Sequence, residues 1–314
     1  NYNYDAIATN LIVATYVFVD LETTGLPKEE NNKTKIIEIS LVAVKREHFL
    51  VTRAGATPRV QHKLTLCLNP RKLVNPGCTE VTGLCNDLLE FEPDFNQDVV
   101  NIINGFLSVL TKPVCLIAQN GNNFDFPILK RHFEKLNMSI TADIVCADCY
   151  HAFYDILEFQ KTVQAVNSAE KASKPSEGTV ENGIVQTTDN KDEPTSLWDL
   201  ENMQNMQHLN EKTPKKFCET NRHYDLRKMK GINKARRRMP WMDGPKPKES
   251  YKLKNIYERV LNRPALEAHR AENDCLMALE CSVALGKAFV NWIDENHFPF
   301  SDIKPMTIGV PLGQ

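Results

Sequence analysis

Residues 16–26 read Tyr-Val-Phe-Val-Asp-Leu-Glu-Thr-Thr-Gly-Leu. The first four are apolar and β-prone, the pattern of a central strand buried on both faces. The run then meets two carboxylates, Asp20 and Glu22, before Thr23, Thr24 and Gly25 turn the chain. Strand side chains alternate, so Asp20 and Glu22 project to the same side. Held together at a strand end they repel one another unless a cation sits between them. Hard divalent ions such as Mg²⁺ and Mn²⁺ take oxygen ligands of this kind. Alone, the pattern also fits a strand that ends in a solvated acidic turn.

Working outward, 36–44 reads as a second strand, the alternating 63–68 as a third, 114–118 as a short buried strand and 140–146 as a further one. Residues 76–89 read as a loop with a short helix. Helical spacing marks 95–110, 127–136 with Pro127 in its first turn, and 251–261, and 272–292 reads as one long helix. Strands mixed with helices predict a three-layer α/β sandwich, a mixed sheet flanked by helices. The composition changes over 161–248. Residues 165–197 contain no aromatic side chain and are rich in Ser, Thr, Glu, Asn and Asp, too little apolar area to offset ordering entropy, so disorder is expected there. Residues 212–238 then carry eleven Lys and Arg against two acids, ending in Arg236, Arg237 and Arg238. The expected organisation is a single domain over 14–310 interrupted by an insert at 161–248.

The 314 residues are 42% hydrophobic and 25% charged, ordinary for a globular protein able to bury a substantial core. The net charge of −2 does not mark a nucleic-acid binder, but positive charge is concentrated in the insert. Nine cysteines at irregular spacing, most in apolar runs, suggest reduced buried thiols in a nuclear or cytoplasmic protein. Cys146 and Cys149 form a CxxC without a second pair, a poor zinc or redox signature. No apolar stretch is long enough to span a bilayer, and no basic n-region marks a secretory leader.

Two further constellations carry candidate chemistry. Asp125 opens a helix directly after a strand, where the free amides and dipole favour a carboxylate; capping alone would account for it. His269 and Asp274 lie five residues apart at the start of the last long helix, where Asp274 could equally serve only the helix dipole. Taken in order, Asp-x-Glu after a strand, Asp opening a middle helix and His-x4-Asp opening a last helix resemble the DEDDh exonucleases of the ribonuclease H-like superfamily. The resemblance extends to the three-prime repair exonuclease family. It rests on Val19-Asp-Leu-Glu-Thr-Thr-Gly-Leu-Pro27, Glu80-Val-Thr-Gly-Leu84, Asn120-Gly121 with Asp125-Phe-Pro127, residues 251–257, residues 269–274, and Trp292 through Lys304-Pro-Met306. It covers the chain from about residue 14 to about 310, the insert excepted.

The resemblance implies a 3′→5′ exodeoxyribonuclease that releases 5′-mononucleotides from single-stranded or frayed DNA ends. Asp20, Glu22 and Asp274 would hold two Mg²⁺, which Mn²⁺ can replace, with Asp125 supporting the second and His269 as general base. In-line displacement at phosphorus needs charge neutralised on both the attacking and leaving oxygens, which two ions about 3.5–4 Å apart provide. Leu26 would wedge against the terminal base, and Thr23, Thr24, Phe124 and the Arg236, Arg237 and Arg238 run are the expected substrate contacts. A homodimer is implied too, with 63–68 as an edge strand that can pair across a two-fold axis. Some positions depart from the family: Phe124 stands where Tyr is frequent, Asn123 where Arg is common, and Thr23 where Ala is frequent. An RNA-trimming or proofreading exonuclease of the same superfamily, or a catalytically silent nucleic-acid-binding module, remain as alternatives.

Overall fold

In the computed structural model, residues 12–172, 234–239, 241, 246–310 and 312 are described. Most of the expected insert, Cys218 and the bulk of its basic stretch therefore lie outside the described residues. Residues 1–166 and 233–314 make up one structural unit; of the other, 167–232, only the end of a helix is described.

The sheet has six strands in the order β3-β2-β1-β4-β5-β6. They are β1 (Thr15–Thr23), β2 (Ile36–Lys45), β3 (His62–Cys67), β4 (Val114–Ala118), β5 (Ile144–Asp148) and β6 (Phe298–Pro299). The β1–β2, β2–β3 and β5–β6 pairs are antiparallel, whereas β4 lies parallel to both β1 and β5. The connections suit the pairing: direct loops, one carrying the short helix 46–51, join the antiparallel neighbours β1, β2 and β3, and helical crossovers bring β4 and β5 in parallel.

Alternation on the strands divides the core. Tyr16, Phe18, Val42, Val44, Cys115 and Ile117 face one helical layer, formed by α6 (Cys149–Ala172), α7 (Leu253–Leu261), α8 (Ala271–Leu285) and α9 (Lys287–Asn296). Val17, Val19, Leu21, Leu41 and Leu116 face the other, where α4 (Gln97–Ser108) and α5 (Asp125–Lys135) pack. Three short helices complete the fold: α1 (Arg46–Val51), α2 (Pro76–Thr82) and α3 (Asn86–Leu89). The result is a three-layer α/β sandwich of the ribonuclease H-like kind.

Where the elements differ from the sequence reading, local chemistry gives the reason. The expected single helix over 272–292 is two, bent by 108° at Gly286, whose φ of 54° and ψ of −127° suit glycine alone. No described helix is by itself long and apolar enough to cross a membrane, and this bent pair buries its apolar residues in the core. Residues 76–89 hold two short helices, the first started by Asn75, whose side chain accepts the Gly77 N–H at 2.9 Å, and stopped by Gly83 at φ 76°. The strand expected from residue 140 begins only at Ile144. Asn104 draws the Thr141 N–H to itself at 2.8 Å, and Asp143 turns at φ 65°. The helix from Cys149 runs to Ala172, eleven residues beyond the expected start of the insert at 161. Cys146 and Cys149 face opposite layers of the core, so they do not form one dithiol site.

Candidate active site

Asp20 and Glu22 are half-buried at the end of β1, while Val19, Leu21 and Thr23 between and beside them are buried. They share the side of the sheet that carries Phe18, the side covered by α8. Strand β4 stops at Ala118, and its pairing with β1 ends at Phe18 opposite Ile117, so the Leu21 N–H beyond has no strand partner on that edge. Asp125 at the first position of α5 takes it, its Oδ1 accepting at 3.2 Å. The capping role read for Asp125 is thus replaced by a tie across two elements, which holds a buried carboxylate next to the β1 pair.

The loop that delivers Asp125 is itself fixed from below. Asp148, buried at the end of β5, accepts the N–H groups of Asn120 at 2.9 Å, Asn122 at 3.1 Å and Tyr150 at 3.0 Å. At Gly121 a side chain would meet Ala118 Cβ and the Phe126 ring at 2.7 Å, so the turn closes only around glycine. Neither Asp148 nor Glu38 was singled out from sequence. Glu38 lies opposite Glu22 in the β1–β2 register, and its Oε2 accepts the Ala271 N–H at 2.9 Å at the start of α8. Its signal was a lone acid inside the apolar run 36–44; that of Asp148 was an acid closing a buried strand.

Helix α8 brings the remaining two residues. Asp274 in its first turn accepts the His269 N–H through Oδ2 at 2.8 Å, and His269 adopts a left-handed φ of 63°. That φ is uncommon for a residue with a side chain and is held here by a hydrogen bond from the backbone it distorts. Glu22, His269 and Asp274 each place one ligand-type atom within 4.8 Å of the others. Asp20 and Asp125 adjoin them: Asp20 is driven well above the usual carboxylate range by burial, then by Asp125, Asp274 and Glu22. Burial and the Asp274 and Glu38 charges push Glu22 up to about 8. Asp125 is raised to about 8 by burial and Asp148, against the lowering effect of the Leu21 N–H. Asp274 is raised to about 6 by burial, opposed by the His269 N–H and charge. Carboxylates that hold protons this strongly are short of positive charge. An all-oxygen set with one imidazole beside it fits hard divalent cations such as Mg²⁺ or Mn²⁺.

The expected substrate contacts divide. Leu26 is 54% exposed on the turn after β1. Thr23 and Thr24 are buried: Thr23 Oγ1 donates to the Gly25 carbonyl at 3.1 Å, and Thr24 Oγ1 donates to Glu30 at 2.8 Å while accepting the Lys35 N–H. Their side chains build the turn rather than face a substrate. Phe124 is half-buried against the α5 layer. The three arginines also part company. Arg237 makes a bidentate pair with Asp155, both bonds 2.7 Å, and Asp155 also accepts the Trp292 indole N–H at 2.9 Å. Its side chain is only 9% exposed, so the expected Arg237–substrate contact is corrected to a structural clamp. Arg236 is exposed, on a 3-10 turn whose Lys234 carbonyl accepts the Asn122 side-chain N–H at 3.3 Å, beside the loop leading to Asp125. Arg238 is exposed as well.

Residues 17–174 match the family model described as Exonuclease (RNase_T). The chain is similar to three-prime repair exonuclease 1 of Bos taurus, at 27% identity over 94% of this chain and 71% of that protein. It is 41% identical to three prime repair exonuclease 2 of Mus musculus over 43% of this chain and 58% of that protein. Among solved structures, exonuclease I covers 89% of this chain with 43% of its own length, at 14% identity and a TM-score of 0.47.

Proposed function

This chain belongs to the exonuclease family and is a 3′→5′ exonuclease, and from that premise we propose that it hydrolyses DNA from single-stranded or frayed 3′ ends, releasing 5′-mononucleotides with the help of two Mg²⁺ or Mn²⁺ ions. The observation that carries this reading is the convergence of Glu22, His269 and Asp274 within 4.8 Å, with the Asp20 and Asp125 carboxyls alongside. Asp20, Glu22 and Asp274 would hold the cations, and Asp125, anchored on Leu21, would support them. Bound cations supply charge neutralisation at the scissile phosphate and a more acidic water at neutral pH.

The protein's own groups do the rest. The left-handed backbone at His269 aims its imidazole at the carboxylate cluster, where it can take the proton of the attacking water. Asp274 fixes that loop through the His269 N–H and thereby positions the base. Glu38 holds the start of α8, from which both residues project, against β2. Exposed Leu26 offers an apolar edge to the terminal base, and Arg236 offers a cation beside the Asn122 loop. Strand β3 is an outer strand of the sheet with its Lys63, Leu64, Thr65 and Leu66 partly exposed, which supports pairing with a second copy in a homodimer.

A 5′-labelled oligonucleotide tests this. Ladders shortened one nucleotide at a time from the 3′ end are expected with Mg²⁺, abolished by EDTA and by Asp20→Ala. A sequence-matched RNA run in parallel decides the sugar: faster loss of the RNA would replace the DNA reading with an RNA-trimming one. Full activity in excess EDTA would remove the metal-dependent mechanism.

A further inference from the structure

Helix α5 is charged oppositely at its two ends. It begins at Asp125, in the carboxylate cluster, and its later turns carry Arg131 and Lys135, spaced i,i+4 and hence on one face. Against that face lies Lys35, which ends the turn leading from β1 to β2. The Lys35 N–H donates to Thr24 Oγ1 at 3.1 Å and its carbonyl accepts the Thr24 N–H at 2.9 Å, two residues past Glu22. The half-buried Lys35 ammonium feels the charge of Lys135, and less strongly those of Lys72 and Arg131.

Acids nearby are otherwise engaged. Glu30 is paired with Lys72 at 2.5 Å and with Thr24. Glu134, though adjacent in sequence, lines a separate hollow with Met138, Asp143 and Pro299. Among the described residues no carboxylate forms an ion pair with Lys35, Arg131 or Lys135. His132, in the same neighbourhood, is buried and pushed down to about 4 by burial and by these cations, so it adds no charge at neutral pH. Cations gathered on one surface repel one another. An anion placed between them reverses the sign.

We propose that Lys35, Arg131 and Lys135 form a phosphate-binding site for the backbone of the nucleic-acid substrate, away from the scissile bond. Arg131 and Lys135 lie six and ten residues along α5 from Asp125, which at 1.5 Å per residue is about 9–15 Å. That separation puts the site upstream of the terminal nucleotide, within reach of the backbone phosphates of a strand whose 3′ end lies at the carboxylates. The cations thus bind the chain where its charge is not consumed, and the carboxylates with their metals bind it where it is. This inference rests on the exonuclease reading above, since it supposes a polyanionic strand at the carboxylate cluster.

The test is the double variant Arg131→Glu/Lys135→Glu, with Arg131→Gln/Lys135→Gln as the milder pair if reversal lowers the melting temperature. Three readouts are taken with Mg²⁺: turnover of a small p-nitrophenyl ester of thymidine monophosphate, KM for a 30-nucleotide strand at several salt concentrations, and inhibition by inorganic phosphate. The expected result is unchanged turnover of the small ester, a KM for the strand raised ~10-fold, and a salt slope shallower by about 1.4 for two lost phosphate contacts. An unchanged strand KM and slope overturns the proposal. So does relief of phosphate inhibition with no change in strand KM, which would assign the cations to a free anion. Failure of the wild-type protein to turn over either substrate would count against the exonuclease reading itself and is recognised before any variant is compared.

Discussion

Removing the divalent cation should make the stability of this fold fall as pH rises, a dependence unusual for a protein rich in surface carboxylates. The perturbation is excess EDTA against saturating Mg²⁺ across pH 5 to 8.5. Glu22 and Asp125 are raised from 4.5 and 3.8 to about 8, and Asp274 from 3.8 to about 6, in each case chiefly by burial. A carboxyl whose proton affinity rises on folding stabilises the fold while protonated. That contribution is complete below the unfolded value near 4 and is lost as pH climbs through about 6 for Asp274 and about 8 for the other two. Each unit is worth about 1.36 kcal/mol; because the three groups titrate as one coupled cluster their shifts do not add, and the cluster is assigned the worth of one group's shift, about 3–5 kcal/mol. At roughly 2–4 °C per kcal/mol for a domain of this size, the metal-free melting temperature should drop by roughly 10 °C between pH 5 and 8.5. Mg²⁺ at a hundred times its dissociation constant restores about 2.7 kcal/mol at the alkaline end and little at pH 5. Differential scanning fluorimetry reads both effects. A metal-free melting temperature flat in pH, or an equal Mg²⁺ shift at pH 5 and 8.5, would refute the view that these carboxylates are short of cations.

Four further outcomes are expected. His269→Ala should reduce turnover by ~10²–10⁴-fold while DNA affinity in Ca²⁺ stays unchanged; a loss of affinity to match would mean the histidine binds and does not act as base. Asp148→Asn replaces an ionised acceptor that serves three backbone N–H groups with a neutral amide. It should cost about 1–3 kcal/mol in chemical denaturation and lower kcat more than KM, whereas wild-type kcat in the variant would show that the loop does not position Asp125. Arg237→Ala leaves Asp155 with the Trp292 indole alone and should destabilise by about 2–4 kcal/mol without altering the salt slope of DNA binding, the reverse of Arg236→Ala. Leu64→Lys on the outer strand should give a monomer mass in light scattering where the parent gives a dimer; a monomeric parent would dispose of strand pairing between copies.

The strands that bear the site were legible because burial on both faces leaves a dense apolar run: β4 begins and ends where the sequence suggested, β2 runs one residue longer, and β1 starts one residue earlier and continues three residues past Asp20 to Thr23. Helix limits were harder. Nothing in residues 272–292 breaks apolar periodicity at Gly286, because a glycine within a helix costs only about 1 kcal/mol; what ends the first helix is the φ of 54° that glycine adopts there. Asp20, Glu22, His269 and Asp274 came together as a set through the order of motifs shared with the resembled family; each alone also fitted a solvated turn, a surface histidine or an acid serving a helix dipole. The roles of Glu38, Asp148 and Arg237 were not. Each depends on a partner far away in sequence, Ala271, Asn120 with Asn122, and Asp155, and no local pattern predicts which distant amide or acid a buried charge will meet. Thr23 and Thr24 show the converse, a polar pair beside the Asp20–Glu22 carboxylates whose hydroxyls are spent inside their own turn.

The cluster is assembled from residues about 250 positions apart, Asp20 and Glu22 on the first strand and His269 and Asp274 at the head of α8. A ribosome therefore releases Asp20, Glu22 and Asp125 long before the base and the last ligand exist. The growing polypeptide can close its sheet on the α4–α5 side yet leaves the opposite face, with Phe18 and Ile117, without α8 and α9. On the proposed roles the site is completed late in synthesis, when α8 packs on that face and the segment 269–274 at its start meets the end of β1.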